Sequence, residues 1–317
     1  MTDQTFETGP GGAEERRPNA LIRGLKTLAL LRESWMASIG IGIVIFWVLV
    51  AILAPVLAPY PYEQQIGPLV NAEPGTCAEP DRPYFTDEGM ERTTGDECYL
   101  LGGDNLGRDI LSRIIWGARP ILIWAPLATV LAYTAGIFLG LLAGYKRGWL
   151  DDILSRVSDI ILSFPVLVLY VVLITVVGRS NINILLAVTF ASAPGIMRIV
   201  RGLVLDLRNR DYVAAAQTRG ESSWYIMFVE ILPNARGPLI VDACLRLGYT
   251  IITLGVLGFL GLGLPPPDPN WGNLIAENRT VALTSPQSVV FPCIAISSLV
   301  LGLNMLADGL REISLKD

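Results

Sequence analysis

Long uncharged apolar runs alternate along the chain with shorter polar segments. Since about twenty apolar residues span the ~30 Å hydrocarbon core of a bilayer, six runs are predicted to be transmembrane helices: 36–59, 120–145, 160–178, 180–197, 238–267 and 280–307. The fifth run contains charges, but its Asp242 and Arg246 stand at i,i+4 and can neutralise each other near the membrane boundary. The pattern therefore predicts an all-α polytopic membrane protein.

The polar segments divide the rest of the chain. Residues 1–35 are predicted to be a cytoplasmic tail with a short amphipathic helix at 21–31, and 60–118 a loop on the other side of the membrane. Five helices form a core over 119–309, and 310–317 is the second terminus. At the end of the loop, Ile110, Ile114 and Trp116 oppose Asp109 and Arg113, which is typical of an interfacial amphipathic helix with Trp116 at headgroup depth.

Positive charge determines the predicted orientation. With six spans both termini lie on one side, and placing them in the cytoplasm gives seventeen Lys and Arg inside against seven outside. This asymmetry follows the positive-inside rule. Segment 60–118, with eleven acidic residues against four arginines, is then extracytoplasmic.

Composition excludes several classes of function. The chain is 52% hydrophobic with a mean hydropathy of +0.49, as expected of a membrane protein. It has no histidine, which removes Ser-His-Asp and Cys-His catalysis and His-ligated metal sites. No lysine follows a glycine, so no Walker A motif is present. The acidic net charge argues against a nucleic-acid partner. We therefore expect no catalytic, cofactor-binding or metal-binding residue.

Two of the four cysteines, Cys77 and Cys98, lie in the predicted outer loop. On an oxidising face such a pair favours a disulfide that closes the loop, the alternative being two free thiols. Cys244 and Cys293 lie in apolar runs and are interpreted as small core residues.

The longest polar interruption of the second half is 206–234. Asp211 or Asn209 can cap a helix over 212–218, which Gly220 follows as a stop signal. Ser222 or Ser223 can begin a second helix that Pro233 ends. Two short helices joined at a glycine suit docking into a groove of another protein. An interfacial loop on lipid headgroups is the alternative.

Small residues and prolines recur in the spans. Gly136, Gly140 and Gly144 repeat every four residues, a spacing that permits close helix packing. Sliding of one helix past another during gating is the alternative role. Pro165 and Pro194 are candidates for kinks in the third and fourth spans.

Four segments carry a resemblance to a known family: DNLGRDILSRIIWGAR (104–119), LLAGYKRGWLDDILSRVSDIILSFP (141–165), DYVAAAQTRGESSWYIMFVEILPN (211–234) and GFLGLGLPPPDPNWGNLIAENR (258–279). In this order they resemble the inner-membrane permeases of the peptide/nickel class of ATP-binding-cassette (ABC) importers, and most of all the C-type subunit of dipeptide and oligopeptide systems. The similarity extends over about 35–313. It implies the type I importer permease fold in a bacterial or archaeal inner membrane.

The resemblance also implies partners. Such a permease pairs with a B-type permease, two cytoplasmic ATPases that bind ATP and Mg, and an extracytoplasmic peptide-binding protein. The substrate would be a di- or oligopeptide, although related systems carry nickel, opines or glycosides. The acidic segment 71–97 is similar to an insertion relative to the common pattern, serving either as a contact for the binding protein or as a solvated addition.

The family's ATPase-coupling loop, known as the EAA loop, falls on 211–234. The residues that the resemblance assigns to coupling are Asp211, Tyr212, Ala214, Ala215, Ala216, Gly220 and Pro233. Ala214 stands where the family usually has Glu, and Gln217 where Arg is common. These departures put a particular polar contact with the ATPase in doubt, but not docking itself.

Two other classes compete with this interpretation. A secondary transporter would use intramembrane ionisable residues, for which Asp159, Arg198, Asp242 and Arg246 are the candidates. A channel or scaffold would act without any ATPase.

Overall fold

The computed structural model describes residues 34–86, 89–263 and 269–314. The predicted N-terminal tail up to residue 33, with its amphipathic helix, lies outside these residues. The α-helices in chain order are α1 Trp35–Ile52, α2 Ala54–Leu57, α3 Ile110–Lys146, α4 Trp149–Ser163, α5 Val166–Val177, α6 Asn181–Leu207, α7 Asp211–Thr218, α8 Ser223–Tyr225, α9 Leu232–Phe259, α10 Trp271–Asn278 and α11 Gln287–Ser314. Short strands occur at β1 Thr76–Cys77, β2 Pro83–Thr86, β3 Gly89–Arg92 and β4 Cys98–Tyr99.

The helical membrane architecture predicted from the sequence is confirmed. Within the described residues, five helical runs are long and apolar enough to cross a membrane, and the bent pair α4–α5 makes up to six. The helix before Pro165 turns by 92° into the helix after it, since proline disfavours helical backbone in the preceding residue. Pro194, in contrast, lies inside the uninterrupted helix α6.

The observed helices differ from the predicted runs mainly at polar ends. The last helix covers Gln287–Ser314 rather than 280–307, and α6 continues to Leu207. A partly buried ion pair accounts for part of the second difference, because Arg201 of α6 binds Asp151 of α4 at 2.5 and 2.7 Å. Hydropathy identifies the apolar part of a membrane-spanning helix and therefore ends the predicted run before these charged residues.

Glycines let α3 and α6 approach closely. A Cβ atom on Gly136, Gly140 or Gly144 would lie 2.6–2.7 Å from the side chain of Ile196, Val200 or Val204, respectively. The predicted packing role of this glycine series is confirmed.

The two ends of the bundle differ in structure. At one end residues 60–86 and 89–109 form a folded unit, here called the lobe, with a small core of Ile66, Leu69, Ala78, Tyr84 and Tyr99. The β1–β4 pair places Cys77 opposite Cys98, and a disulfide joins them. The other end, here called the base, carries α7, α8 and the residues that connect them.

The predicted amphipathic helix that leads into the second span is present, but its apolar side packs against protein rather than on the membrane surface. Ile110, Ile114 and Arg113 are buried inside the protein as the first turns of the 37-residue helix α3. Trp116 packs against Tyr62 of the lobe, at 5.4 Å between ring centroids. The same apolar spacing suits lipid and protein surfaces equally, so the sequence could not distinguish them.

Candidate coupling surface at the base

Helix α7 forms where three consecutive alanines favour helix and where only one side is apolar. Val213 and Ala216, three residues apart, are both fully buried. They pack in a cluster with Ile226, Met227 and Ile231 from the segment that follows α8. This contact fixes α7 against the base.

The predicted side-chain cap of α7 is wrong. Arg210 occupies the N-cap position and makes no side-chain capping hydrogen bond. Asp211 is instead the first residue of the helix, where its negative charge interacts favourably with the helix dipole. Asn209 donates from its side chain to the carbonyl of Leu205, at 3.3 Å, and so belongs to the end of α6.

The opposite side of α7 is exposed and consists mostly of small side chains. Ala214 and Ala215 are exposed there, with Asp211 at one end and Thr218 at the other. Tyr212 is half-buried, and burial raises the pKa of its hydroxyl. A helix surface with so little side-chain bulk lets another backbone approach closely.

Gly220 ends α7 in a geometry that favours glycine. Its φ is +80°, in the left-handed region. The N–H of Gly220 donates to the carbonyl of Gln217 at 3.0 Å, and that of Glu221 donates to Ala216 at 3.2 Å. These two bonds form a Schellman motif. The turn therefore fixes the angle at which the chain leaves α7.

The second helix does not end at Pro233 as predicted. Ser222 caps α8, accepting from the N–H of Tyr225 at 3.2 Å. A π-helical turn, Ile226–Ile231, then leads without a break into α9, in whose first turn Pro233 lies. The wider turn bonds the N–H of Leu232 to the carbonyl of Met227. Pro233 has no N–H to donate, so it removes one backbone hydrogen bond at this junction without ending the helix.

Contacts tie the base to the end of α3. Arg208 donates to the carbonyls of Gly144 and Tyr145 at 3.3 and 3.2 Å. The ring of Trp224 stacks between those of Phe138 and Phe228, with centroids 6.1 and 6.0 Å apart. The base is therefore in direct contact with the membrane-spanning helix α3.

The seven residues predicted for coupling thus occupy different environments. Asp211, Ala214, Ala215, Gly220 and Pro233 are exposed at the base, Tyr212 is half-buried and Ala216 is fully buried. The sequence did not predict that Arg208, Tyr145 and Trp224 connect the base to α3. The adjacent aromatic and basic residues Tyr145 and Lys146 are a signal that could have indicated this end of α3. Among the described residues, no group of three or more His, Cys, Asp or Glu is arranged to hold a metal ion.

The charged residues considered for ion coupling are paired. Arg198 binds Asp159, and the Nε of Arg246 binds Asp242 at 2.8 Å. The hydroxyl of Tyr133 also donates to Asp242.

Two family models match the chain. The model described as "Binding-protein-dependent transport system inner membrane component" matches residues 136–316. A second, "N-terminal TM domain of oligopeptide transport permease C", matches residues 27–74.

Curated relatives resemble the chain over most of its length. The dipeptide transport system permease protein DppC of Alkalihalophilus pseudofirmus is 36% identical over 282 residues, covering 89% of this chain and 86% of the relative. DppC of Escherichia coli is 37% identical over 301 residues, with coverages of 93% and 95%. The glutathione transport system permease protein GsiD of Pectobacterium atrosepticum is 40% identical over 215 residues, with coverages of 68% and 71%.

A solved structure shares the fold. A chain from inward facing conformations of the MetNI methionine ABC transporter aligns with a TM-score of 0.54 at 19% identity, covering 64% of this chain and 96% of that one. The likeness confirms the expected permease fold.

Proposed function

Because the chain belongs to the family of binding-protein-dependent transport system inner membrane components, we propose that it is a permease subunit of an ABC importer for di- and oligopeptides. The relatives named as dipeptide and glutathione permeases support this substrate class. In this proposal the chain catalyses no reaction. It forms half of the translocation pathway beside a second permease, and partner ATPases bind ATP and Mg.

The observation that carries the proposal is the exposed alanine surface of α7. It lies on a short helix whose opposite side is buried by Val213 and Ala216. Two ATPase subunits would bind the assembled permease pair, one of them on this surface. The small side chains of Ala214 and Ala215 suit a helix-in-groove contact, in which the groove of the partner surrounds the helix.

Motion of the ATPase would pass through the base to the bundle. The Schellman turn at Gly220 and the bonds of Arg208 to the end of α3 make α7 a rigid lever. Closure of the ATPases on ATP would shift this lever and exchange the bundle between inward-open and outward-open arrangements.

The proposed orientation puts the base in the cytoplasm and the lobe outside a bacterial or archaeal inner membrane. The positive-inside asymmetry of the sequence supports it. The disulfide between Cys77 and Cys98 supports it as well, since disulfides persist on the oxidising side of a membrane. A peptide-binding protein would then approach the lobe end.

Reconstitution of the complete complex tests the function. The tagged chain is purified from its native membrane with its partners, placed in liposomes and supplied with a binding protein and labelled dipeptides. We expect uptake that requires both ATP and the binding protein. Equal uptake without ATP would contradict the proposal and favour a secondary transporter, and equal leakage of unrelated solutes would favour a channel.

A further inference from the structure

A cavity of about 290 Å³ lies between α3, α5, α6 and α9, and its mostly apolar lining includes several polar side chains. The polar side chains that line it are Thr129, Tyr170, Ser192, Arg246, Tyr249, Thr250 and Thr253. Thr129 lies near the middle of α3, so the cavity is deep within the spans. Polar and ionisable groups at such depth generally face protein or a water-filled space rather than lipid.

The broken third span forms one wall of this cavity. Val166 and Tyr170, at the start of α5, line it directly after the 92° bend. Irregular backbone within a membrane is tolerated only where it is buried in protein or borders water. With twelve residues at ~1.5 Å rise each, α5 is also too short to cross the bilayer core alone. The bend at Pro165 therefore lies beside a cavity that can accommodate irregular backbone.

Arg246 gives the cavity a positive end. Its Nε binds Asp242 at 2.8 Å, and its Nη1 and Nη2 lie over Gly195, where a Cβ atom would be only 3.3 Å from Nη1. Gly195 thus leaves room for the guanidinium between α6 and α9. Arg246 lines the cavity whereas Asp242 is not among its lining residues.

Tyr249 of α9 lines the cavity and is also exposed at the surface of the chain. It is 68% exposed, far more than Thr250 beside it at 7%. A phenol ring offers both an apolar surface and a hydroxyl, which suits contact with a peptide backbone.

We propose that this cavity is the part of the substrate path that the chain contributes, with Arg246 pairing with the carboxylate of the passing peptide and Tyr249 packing against its backbone. The proposal rests on the proposed function. The substrate class that this chemistry selects is a peptide with a free carboxylate, because a guanidinium binds a carboxylate through two parallel hydrogen bonds.

Cysteine labelling tests whether the cavity contains water. Single-cysteine variants Tyr249→Cys and Thr253→Cys are made in the complete transporter after Cys244→Ala and Cys293→Ala remove the free thiols. The control is Val130→Cys, which is 60% exposed but does not line the cavity. We expect a charged methanethiosulfonate reagent to modify the two cavity positions at least ~10-fold faster than position 130, since the thiolate reacts only where water reaches it. Equal rates at all three positions would overturn the proposal.

Substrate selection tests the role of Arg246. The double variant Arg246→Gln/Asp242→Asn removes both charges and leaves no unpaired ion. We expect its uptake of a dipeptide with a free carboxylate, relative to the amidated dipeptide, to fall ~10-fold compared with the same ratio in the wild type. An unchanged ratio would show that the ion pair is structural and would overturn the carboxylate assignment.

The two experiments separate failure of this inference from failure of the proposed function. If the wild-type complex transports no peptide, the proposed function fails and the carboxylate assignment fails with it. If the wild type transports peptides but the cavity positions are not labelled preferentially, only the inference fails.

Discussion

Two eight-residue helices, α7 at the base and α10 at the lobe end, are attached to the bundle in opposite ways. Trp271, Leu274 and Asn278 of α10 are buried, and the indole of Trp271 donates to the carbonyl of Ile114 at 2.9 Å. In α7 only Val213 and Ala216 are buried.

The polar contacts differ as strongly. Glu277 of α10 binds Arg108 and Arg113, which also share the fully buried Asp104. Asn278 accepts from the N–H of Asn105 in the lobe at 2.9 Å. Among the described residues, the side chains of α7 make one hydrogen bond to the rest of the bundle, a long one from Gln217 to Tyr145 at 3.5 Å. Helix α10 is therefore held by contacts within the chain on most of its surface, whereas α7 leaves one whole side exposed.

The largest effect on stability is expected where α10 meets α9. A Cβ atom on Gly272 would lie 2.1 Å from the carbonyl oxygen of Gly255, so Gly272→Ala should prevent normal folding. The matched control is Gly42→Ala in α1, where a Cβ would meet nothing within 4 Å. Size-exclusion chromatography in detergent should show monodisperse protein for the control only. A normal yield and melting temperature for Gly272→Ala would contradict this packing.

A smaller loss is expected from breaking the charge network of α10. Arg113→Leu removes one partner from the fully buried Asp104, which costs on the order of 3 kcal/mol for a buried pair. Arg82→Leu, in an exposed pair with Glu79, should change stability by less than ~1 kcal/mol. Thermal unfolding of both purified variants checks the difference. Equal melting temperatures would show that α10 is held less firmly than its contacts indicate.

A substitution at Gly220, which ends α7, should leave the chain folded but abolish transport. Gly220→Val places a β-branched residue at φ +80°, at a cost of about 1–2 kcal/mol, and meets no neighbouring atom. We expect the chain to be inserted at normal levels while ATP-driven uptake is abolished, because the angle of the lever changes. Membrane quantification and an uptake assay measure the two effects separately. Normal uptake by this variant would refute the lever mechanism.

The smallest effect concerns pH at the lobe end. Desolvation raises the pKa of Glu97, but hydrogen bonds from the N–H groups of Thr94 and Gly95 outweigh it, and the pKa is lowered overall. This contribution to stability is present above the ordinary value of about 4.5 and is lost as pH falls through the lowered pKa. Glu97→Gln should therefore reduce the loss of lobe stability between about pH 5 and pH 3, measured by limited proteolysis. An identical pH profile would contradict the assigned hydrogen bonds.

Hydropathy predicted the membrane architecture, and capping chemistry predicted where α7 ends, because both depend on neighbouring residues. The correct start of α8 at Ser222 is of the same kind. The sequence could not predict the π-helical turn that carries Pro233 into α9, because the register of a helix also depends on tertiary packing. Nor could it place Glu277 beside Arg108 and Arg113, because Glu277 is more than 160 residues away from both in the chain and meets them only in the folded structure.

The central claim, that α7 is the docking surface for a separate ATPase, is tested by charging its exposed side. Ala215→Arg keeps a good helix former near the helix C-terminus, so α7 and the melting temperature should be preserved. The control is Leu283→Arg beyond α10, at a position that is 99% exposed.

The measurement is the amount of ATPase that co-purifies with each tagged variant from the native membrane, relative to the second permease. We predict at least ~10-fold less ATPase with Ala215→Arg, and wild-type recovery with Leu283→Arg. Recovery of the same amount of ATPase with Ala215→Arg as with the wild type would contradict the account.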